Sequence, residues 1–208
     1  MGRYADALAL QREVVQRADE PGMLDEEFRQ QHRAQLGSML AATGDAKAGL
    51  PLLLENQRYV DQKYPQSQMQ REIKRLWLAA ALLADGQGRE AAQAYALAAR
   101  HLATLPGHRR HPRWAEALQG QALAARLQGD APAAVALLRQ ACAVLAQEAG
   151  PGSGAPPAPV LRCRAHLAWA EAAAAPADAA ARLALERAVQ DYQAAAGTNP
   201  ALAAQVQL

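Results

Sequence analysis

The chain has 208 residues, which is enough for one domain or a short repeat array with a buried core. Hydrophobic residues make up 51% of it but aromatic residues only 4%, so Ala and Leu dominate, and this composition favours closely packed helices over β-sheet. The 22 basic residues nearly balance the 20 acidic ones, which argues against a nucleic-acid-binding domain, and no apolar run is long enough for membrane insertion.

The spacing of apolar residues predicts nine α-helices, each with one apolar face. In chain order we expect them at about 3–19, 24–43, 45–63, 67–85, 89–105, 112–128, 131–148, 160–175 and 177–196. The stretch 150–159 is rich in Gly and Pro and predicts an enlarged loop, and the tail from Thr198 is expected to be loosely held or a short capping helix. We therefore predict repeats over 1–149, a loop over 150–159, and a divergent terminal repeat with its tail over 160–208.

A turn followed by an Ala-rich segment recurs along the chain. The copies start at positions 2, 44, 86, 129 and 176, at spacings of 42, 42, 43 and 47 residues. Gly44, Gly86 and Gly129 are suited to end a helix in the left-handed conformation, and Asp45 and Asp130 to cap the helix that follows. Such a period predicts that each repeat is an antiparallel helix hairpin.

Small residues occur seven positions before and five positions after each turn, as at Gly37 and Gly49. They would allow the two helix backbones of a hairpin to approach closely. Trp169 breaks this rule in the last repeat, so we expect the last hairpin to pack differently.

Three segments resemble the tetratricopeptide repeat family in its 42-residue, kinesin-light-chain-like form. They are LGSMLAATGD at 36–45, the connector GHRRHPRWA at 107–115, and GRYADALAL at 2–10. The resemblance covers about residues 2–149 well and 160–196 weakly. It implies an all-α, right-handed solenoid of antiparallel helix hairpins that serves as an interaction scaffold, usually without catalytic residues of its own.

The resemblance also implies a concave groove lined by the first helix of each hairpin. Projecting the family's repeat positions onto this chain gives thirteen groove residues: Gln31, Gln35, Ser38, Ile73, Leu76, Trp77, Ala80, Leu83, Glu116, Gln119, Leu123, Arg126 and His166. Trp77 would lie at the centre of this strip, although it could equally plug the packing between hairpins. The two-lysine, two-asparagine clamp that some family members use for chaperone tails is not seen at these positions.

No residue pattern predicts catalysis, a cofactor or a metal. His101, His108 and His111 lie close together in the sequence, but three arginines surround them and no cysteine or carboxylate accompanies them. Cys142 and Cys163 have apolar neighbours and are expected to be two buried free thiols rather than a disulfide.

The sequence therefore predicts a non-catalytic scaffold that binds a protein or peptide segment in its groove. The alternative is the regulatory or sensory C-terminal repeat region of a larger bacterial signalling protein, such as a serine/threonine protein kinase or a transcription regulator. The chain opens at a turn, so its first repeat is a half repeat; this predicts a piece of a longer protein and self-association through a bare apolar face. A cytoplasmic location is the default expectation.

Overall fold

The computed structural model describes residues 2–20, 25–107, 111–150 and 156–197. These ranges contain nine α-helices and no β-strand: α1 (Gly2–Ala18), α2 (Glu26–Ala42), α3 (Ala46–Lys63), α4 (Gln68–Ala84), α5 (Gly88–Leu102), α6 (Pro112–Leu127), α7 (Ala131–Ala149), α8 (Ala158–Ala174) and α9 (Ala179–Gly197). The nine predicted helices are confirmed. The largest difference is that α5 ends at Leu102 rather than at 105, because the residue before Pro106 is disfavoured in a helix. The predicted tail and half of the predicted loop lie outside the described residues.

The chain folds as two compact units, residues 1–102 and 103–208. In the first unit α2 pairs with α3 and α4 with α5, while α1 packs against α2 and α3 against α4. Helices α2 and α4 also contact each other, so the first helices of these two hairpins share one face of the unit. In the second unit α6 pairs with α7 and α8 with α9, and α7 packs against α8.

The hairpin turns form as their sequences predict. Gly44 has φ +94°, and Gly86 and Gly129 both have φ +81°, a region that only glycine adopts without steric cost. The side chain of Asp45 accepts a hydrogen bond from the backbone N–H of Ala48, and Asp130 caps α7 in the same way. These caps satisfy N–H groups that have no partner within the helix.

Helices α2 and α3 approach each other closely at Gly37 and Gly49. A Cβ atom placed on Gly37 would lie 2.8 Å from the carbonyl oxygen of Gly49, and one placed on Gly49 would overlap the Gly37 carbonyl group. The equivalent positions of the next two hairpins are completely or almost completely buried alanines: Ala79, Ala91, Ala122 and Ala134. Trp169, at the equivalent position of the last hairpin, is 39% exposed, so the small-residue pattern is not repeated there.

A buried ionic cluster joins α4 to α5. Glu72 is fully buried, and its two carboxylate oxygens contact Arg75 Nε at 2.8 Å and His101 Nδ1 at 2.7 Å. Gln68 extends this contact by donating from Nε2 to the carbonyl oxygen of His101. A buried carboxylate is tolerated because both of its oxygens have partners.

Cys142 on α7 and Cys163 on α8 form a disulfide, with their Cα atoms 5.6 Å apart. The prediction of two free buried thiols is therefore wrong. Cys163 is fully buried, whereas Cys142 is only partly buried. The register of α7 against α8, which brings the two sulfur atoms together, depends on side-chain packing that the apolar spacing of either helix leaves open.

Reduction of this disulfide should lower the free energy of unfolding by about 3 kcal/mol, as expected for a cross-link that closes a loop of roughly 20 residues. Urea unfolding with and without a phosphine reductant measures the change, with mass spectrometry confirming that the thiols are free. A variant carrying both Cys142→Ser and Cys163→Ser serves as the control, since the reductant should not alter its unfolding curve. Identical curves for the oxidised and fully reduced wild-type protein would contradict this prediction.

Candidate functional site: the first-helix face of each unit

A cleft of about 560 Å³ lies between α2 and α4 on the first-helix face of the first unit. It contains two of the predicted groove residues, Gln31 and Ile73, and it combines apolar, amide and charged side chains. The described residues that line it are Asp25, Glu27, Phe28, Gln31, Gln70, Ile73 and Lys74. This mixture of a few oriented polar groups and apolar surface is typical of ligand-binding clefts.

Lys74 bridges the two helices of this cleft. Its Nζ atom donates a hydrogen bond to Gln31 Oε1 at 2.7 Å and lies 4.2 Å from the ring centroid of Trp77. Burial lowers the pKa of Lys74, because the charged ammonium group has lost part of its hydration. Among the residues that the structure describes, no carboxylate forms an ion pair with it.

Trp77 combines the two roles that the sequence left open. The side chain packs against the buried cluster that α2, α3 and α4 form, so it contributes to the contact between hairpins. It is nevertheless only partly buried, and its ring carries the Lys74 ammonium group. Trp77 is therefore both a packing residue and part of the first-helix face.

The rim of the cleft is acidic at the start of α2. Tyr64 hydrogen-bonds to Glu27, and this bond, helped by burial and the nearby negative charge, raises the pKa of Tyr64 to about 12. Asp25 caps α2 by accepting a hydrogen bond from the N–H of Phe28.

The other predicted groove residues of the first unit differ in burial. Gln35 and Ala80 are exposed, and Ser38 and Leu83 are partly buried. Leu76 is 1% exposed and belongs to the core, so it lines no open surface. The reason is its helical position, which places it on the same inward stripe of α4 as Glu72 and Ala79.

In the second unit, the predicted groove residues on α6 are Glu116, Gln119, Leu123 and Arg126, and each is partly buried. The guanidinium carbon of Arg126 lies 3.6 Å from the ring centroid of Trp169, so this stacking contact joins α6 to α8. Burial lowers the pKa of Arg126.

His166 lies one helical turn before Trp169 on α8. Burial, followed by the positive charges of Arg162 and Arg126, lowers the pKa of His166 to about 4. The imidazole is therefore neutral at pH 7, and the two arginines carry the positive charge of this surface.

Sequence reasoning missed the two cation–tryptophan contacts. Lys74 and Trp77 are three residues apart on one helix, which is a spacing that brings side chains together and could have identified the pair. Trp169 was treated as an exception to the packing rule, and its contact with Arg126 depends on the distance between two helices that are far apart in the sequence.

Two of the three histidines in the predicted basic segment have structural partners. His101 contacts Glu72, and His111 caps α6 by accepting a hydrogen bond from the N–H of Arg113. His108 lies outside the described residues. Within the described ranges no group of three or more His, Cys, Asp or Glu side chains is placed to hold a metal ion, and none of the helices there is long and apolar enough to cross a membrane.

No protein-family model and no curated protein matches this chain. Several solved structures are similar to this chain, and three of them cover nearly all of it. Two are forms of a kinesin light chain from Podosopora anserina with nearly identical TPR-like repeats: a point variant with TM-score 0.67, 24% identity and coverage of 96% of this chain and 90% of that one, and a second crystal structure with TM-score 0.65, 25% identity and coverage of 95% and 90%. The third is BtubC (BKLC) from P. vanneervenii, with TM-score 0.68, 16% identity and coverage of 94% and 76%.

The chain has a tetratricopeptide-like repeat fold. This confirms the predicted all-α class and the resemblance to kinesin-light-chain-like repeats. Tetratricopeptide-like folds are generally protein-interaction scaffolds and are typically non-catalytic. Identities of 16–25% are informative about the fold rather than about a particular partner.

Proposed function

We propose that this protein is a non-catalytic scaffold that binds a peptide or protein segment on the first-helix faces of its two units. The observation that carries the proposal is the cleft between α2 and α4, because it is lined by groove residues that the repeat pattern had selected, Gln31 and Ile73. Side chains of mixed polarity around an open cleft suit a peptide better than a small apolar ligand.

The Trp77 side chain supports the same proposal. A partly exposed tryptophan next to a cleft is a common energetic centre of protein–protein interfaces, since its ring buries a large area at little entropic cost. Lys74 stacks on that ring and extends the polar part of the face. Discrimination between partners would therefore depend on shape and on a few polar contacts.

The test is selection of ligands from a random linear peptide library displayed on phage, followed by fluorescence-anisotropy binding of the synthetic peptides. For peptides that bind the first unit, Trp77→Ala and Gln31→Ala should weaken binding by about tenfold or more. For peptides that bind the second unit, Arg126→Ala should do the same. Gln31 is an exposed residue, so its variant separates lost contact from lost stability.

The matched control is Leu54→Ala. Leu54 is exposed on α3, which is the second helix of its hairpin and lies outside the proposed binding face, so this substitution should leave peptide binding unchanged. Peptide binding that survives both Trp77→Ala and Arg126→Ala unchanged would defeat the assignment of the binding face. Peptide binding lost equally in Leu54→Ala would mean that the loss reports general destabilisation.

The alternative, a regulatory or sensory region of a bacterial kinase or transcription regulator, uses the same binding face in a different setting. The reading frame upstream of this sequence distinguishes the possibilities. A kinase domain there would favour the first, and a DNA-binding domain the second.

Self-association through α1 has one observation in its favour. Leu10 is 63% exposed and Val14 is 36% exposed, and both lie on one face of α1, four residues apart. An exposed apolar face of this kind favours a contact with a second copy. Light scattering at high protein concentration that shows a strict monomer would contradict self-association.

The compartment is open to a direct test. A cytoplasmic location would require the Cys142–Cys163 disulfide to persist under reducing conditions, whereas disulfides form mainly in oxidising compartments. Alkylation of free thiols in intact cells, followed by mass spectrometry, distinguishes a reducing from an oxidising compartment, since only the reduced protein would carry two alkyl groups.

A further inference from the structure

Arg126 differs from the paired arginines of the second unit. Its guanidinium group is partly buried, its pKa is lowered by that burial, and its flat face stacks on Trp169. Arg113 and Arg139 each form an ion pair at 2.7 Å, whereas Arg126 has no carboxylate partner among the residues that the structure describes. The Trp169 ring offsets part of the hydration that this cation has lost, and a carboxylate from a ligand would offset more of it.

The acidic residues of α6 and α8 are already engaged. Glu116 is the only acid of α6 and pairs with Arg113, and Glu171 is the only acid of α8 and pairs with Arg139. The neighbouring His166 is kept neutral by burial and by the two arginines. The carboxylates of α6 and α8 therefore leave the positive charge of Arg126 uncompensated.

We propose that this face binds the carboxylate of an Asp or Glu side chain in the partner segment, with Arg126 as the group that pairs with it. Stacking on Trp169 occupies the flat face of the guanidinium and leaves its N–H edge available, and that edge matches a carboxylate with two parallel hydrogen bonds. This inference rests on the proposed function and names the chemistry of the partner.

The rest of the surface favours an acid within a peptide over other anions. One stacked guanidinium can pair with both oxygens of a carboxylate through two parallel hydrogen bonds, whereas a phosphate group carries about two charges and a third oxygen that Arg126 alone would leave without a partner. Leu123 and the exposed part of Trp169 are apolar, so they would receive a neighbouring apolar side chain of the same segment. The partner is thus an acidic segment with an adjacent apolar residue.

The experiment uses the full chain and two random peptide libraries, one fused through the peptide's C-terminus and one with a free C-terminus. We expect Asp or Glu to be enriched among the fused-library peptides that bind the second unit, which are those whose titration shifts the indole resonance of Trp169. In the selected peptide, replacing that acid by its amide should weaken binding to the wild-type chain by about ten- to a hundredfold, and should have almost no effect on Arg126→Met. The Met side chain keeps the apolar stem of arginine and removes the charge.

Arg187→Met is the matched control, because Arg187 is exposed on α9 of the same unit and the variant has the same net charge as Arg126→Met. In the Arg187→Met control, replacing the acid of the peptide by its amide should weaken binding as much as it does for the wild-type chain. Arg126→Lys provides a second variant if Arg126→Met unfolds, and it should lose part of the affinity, since it keeps the charge but loses the paired hydrogen bonds.

Each of the following results would overturn the inference. A selection that yields no peptide for the second unit, second-unit peptides without acids, or an acid whose effect is equal in wild type and Arg126→Met would refute it and leave the proposed function standing. If acids were enriched only in the library with a free C-terminus, the carboxylate that pairs with Arg126 would be the terminal one and not one of a side chain. Failure of the chain to select any peptide would contradict the proposed function itself, and this inference with it.

Discussion

Gly49→Ala is expected to destabilise the first unit by about 3 kcal/mol or more. The added methyl group would overlap the Gly37 carbonyl group, which belongs to the backbone and cannot rotate away. Helices α2 and α3 would have to separate, and buried side chains such as Leu53 would lose contacts. Urea unfolding followed by tryptophan fluorescence measures this loss of unfolding free energy. The substitution is made in a background where Trp114 and Trp169 are replaced by Phe, so that the fluorescence comes from Trp77 alone.

The control for this substitution is Gly88→Ala. Gly88 begins α5, and no heavy atom lies within 4 Å of the position its Cβ would take, so the free energy of unfolding should change by no more than about 1 kcal/mol. If Gly49→Ala unfolded at the same urea concentration as Gly88→Ala, the close approach of α2 and α3 would be refuted.

Glu72→Ala should be the second large effect, with a loss of about 2–4 kcal/mol. The substitution removes a fully buried carboxylate and leaves Arg75 without its 2.8 Å partner and His101 without its 2.7 Å partner. We expect less than the largest values for buried ion pairs, since His101 is partly exposed and Asp61 lies 3.9 Å from Arg75. Urea unfolding followed by the fluorescence of Trp77 also measures this loss of unfolding free energy.

Glu13→Ala is the matched control for Glu72→Ala. Glu13 also pairs with an arginine, Arg17 at 2.6 Å, but both side chains are more than half exposed, so its removal should cost about 0.5 kcal/mol or less. The loss of unfolding free energy for Glu72→Gln should lie between the losses for Glu72→Ala and Glu13→Ala, since the amide keeps a hydrogen-bond acceptor but loses the charge. Equal stabilities for the Glu72→Ala and Glu13→Ala variants would contradict the structural role of the buried cluster.

The sequence predicted the helices well because the repeat provides several independent signals for each of them. Gly44 and Asp45 are one case, since the left-handed turn, the cap and the small residues at fixed offsets all agree on the same boundary. Local signals of this kind are carried by residues that are close in the sequence. For that reason, the helix boundaries were right to within about three residues.

The candidate site was harder to predict, because it depends on contacts between helices. Leu76 shows the limit: projection of the repeat positions placed it in the groove, whereas the packing of α4 puts it in the core. Arg126 and Trp169 are a second example. Their side chains stack although they are 43 positions apart in the sequence, and the sequence analysis did not predict this contact. The Cys142–Cys163 disulfide likewise follows from the register between two helices. Such registers are set by side-chain shape.

The most direct test of the binding face uses the three tryptophans as reporters. Trp77 and Trp169 lie on the first-helix faces of their units, whereas Trp114 lies off the row of groove residues on α6. In a ¹⁵N correlation spectrum of the whole protein, titration with a library-selected peptide should shift the indole resonance of Trp77 or Trp169 and leave that of Trp114 in place. A saturating peptide that shifts only Trp114, or none of the three, would contradict the account.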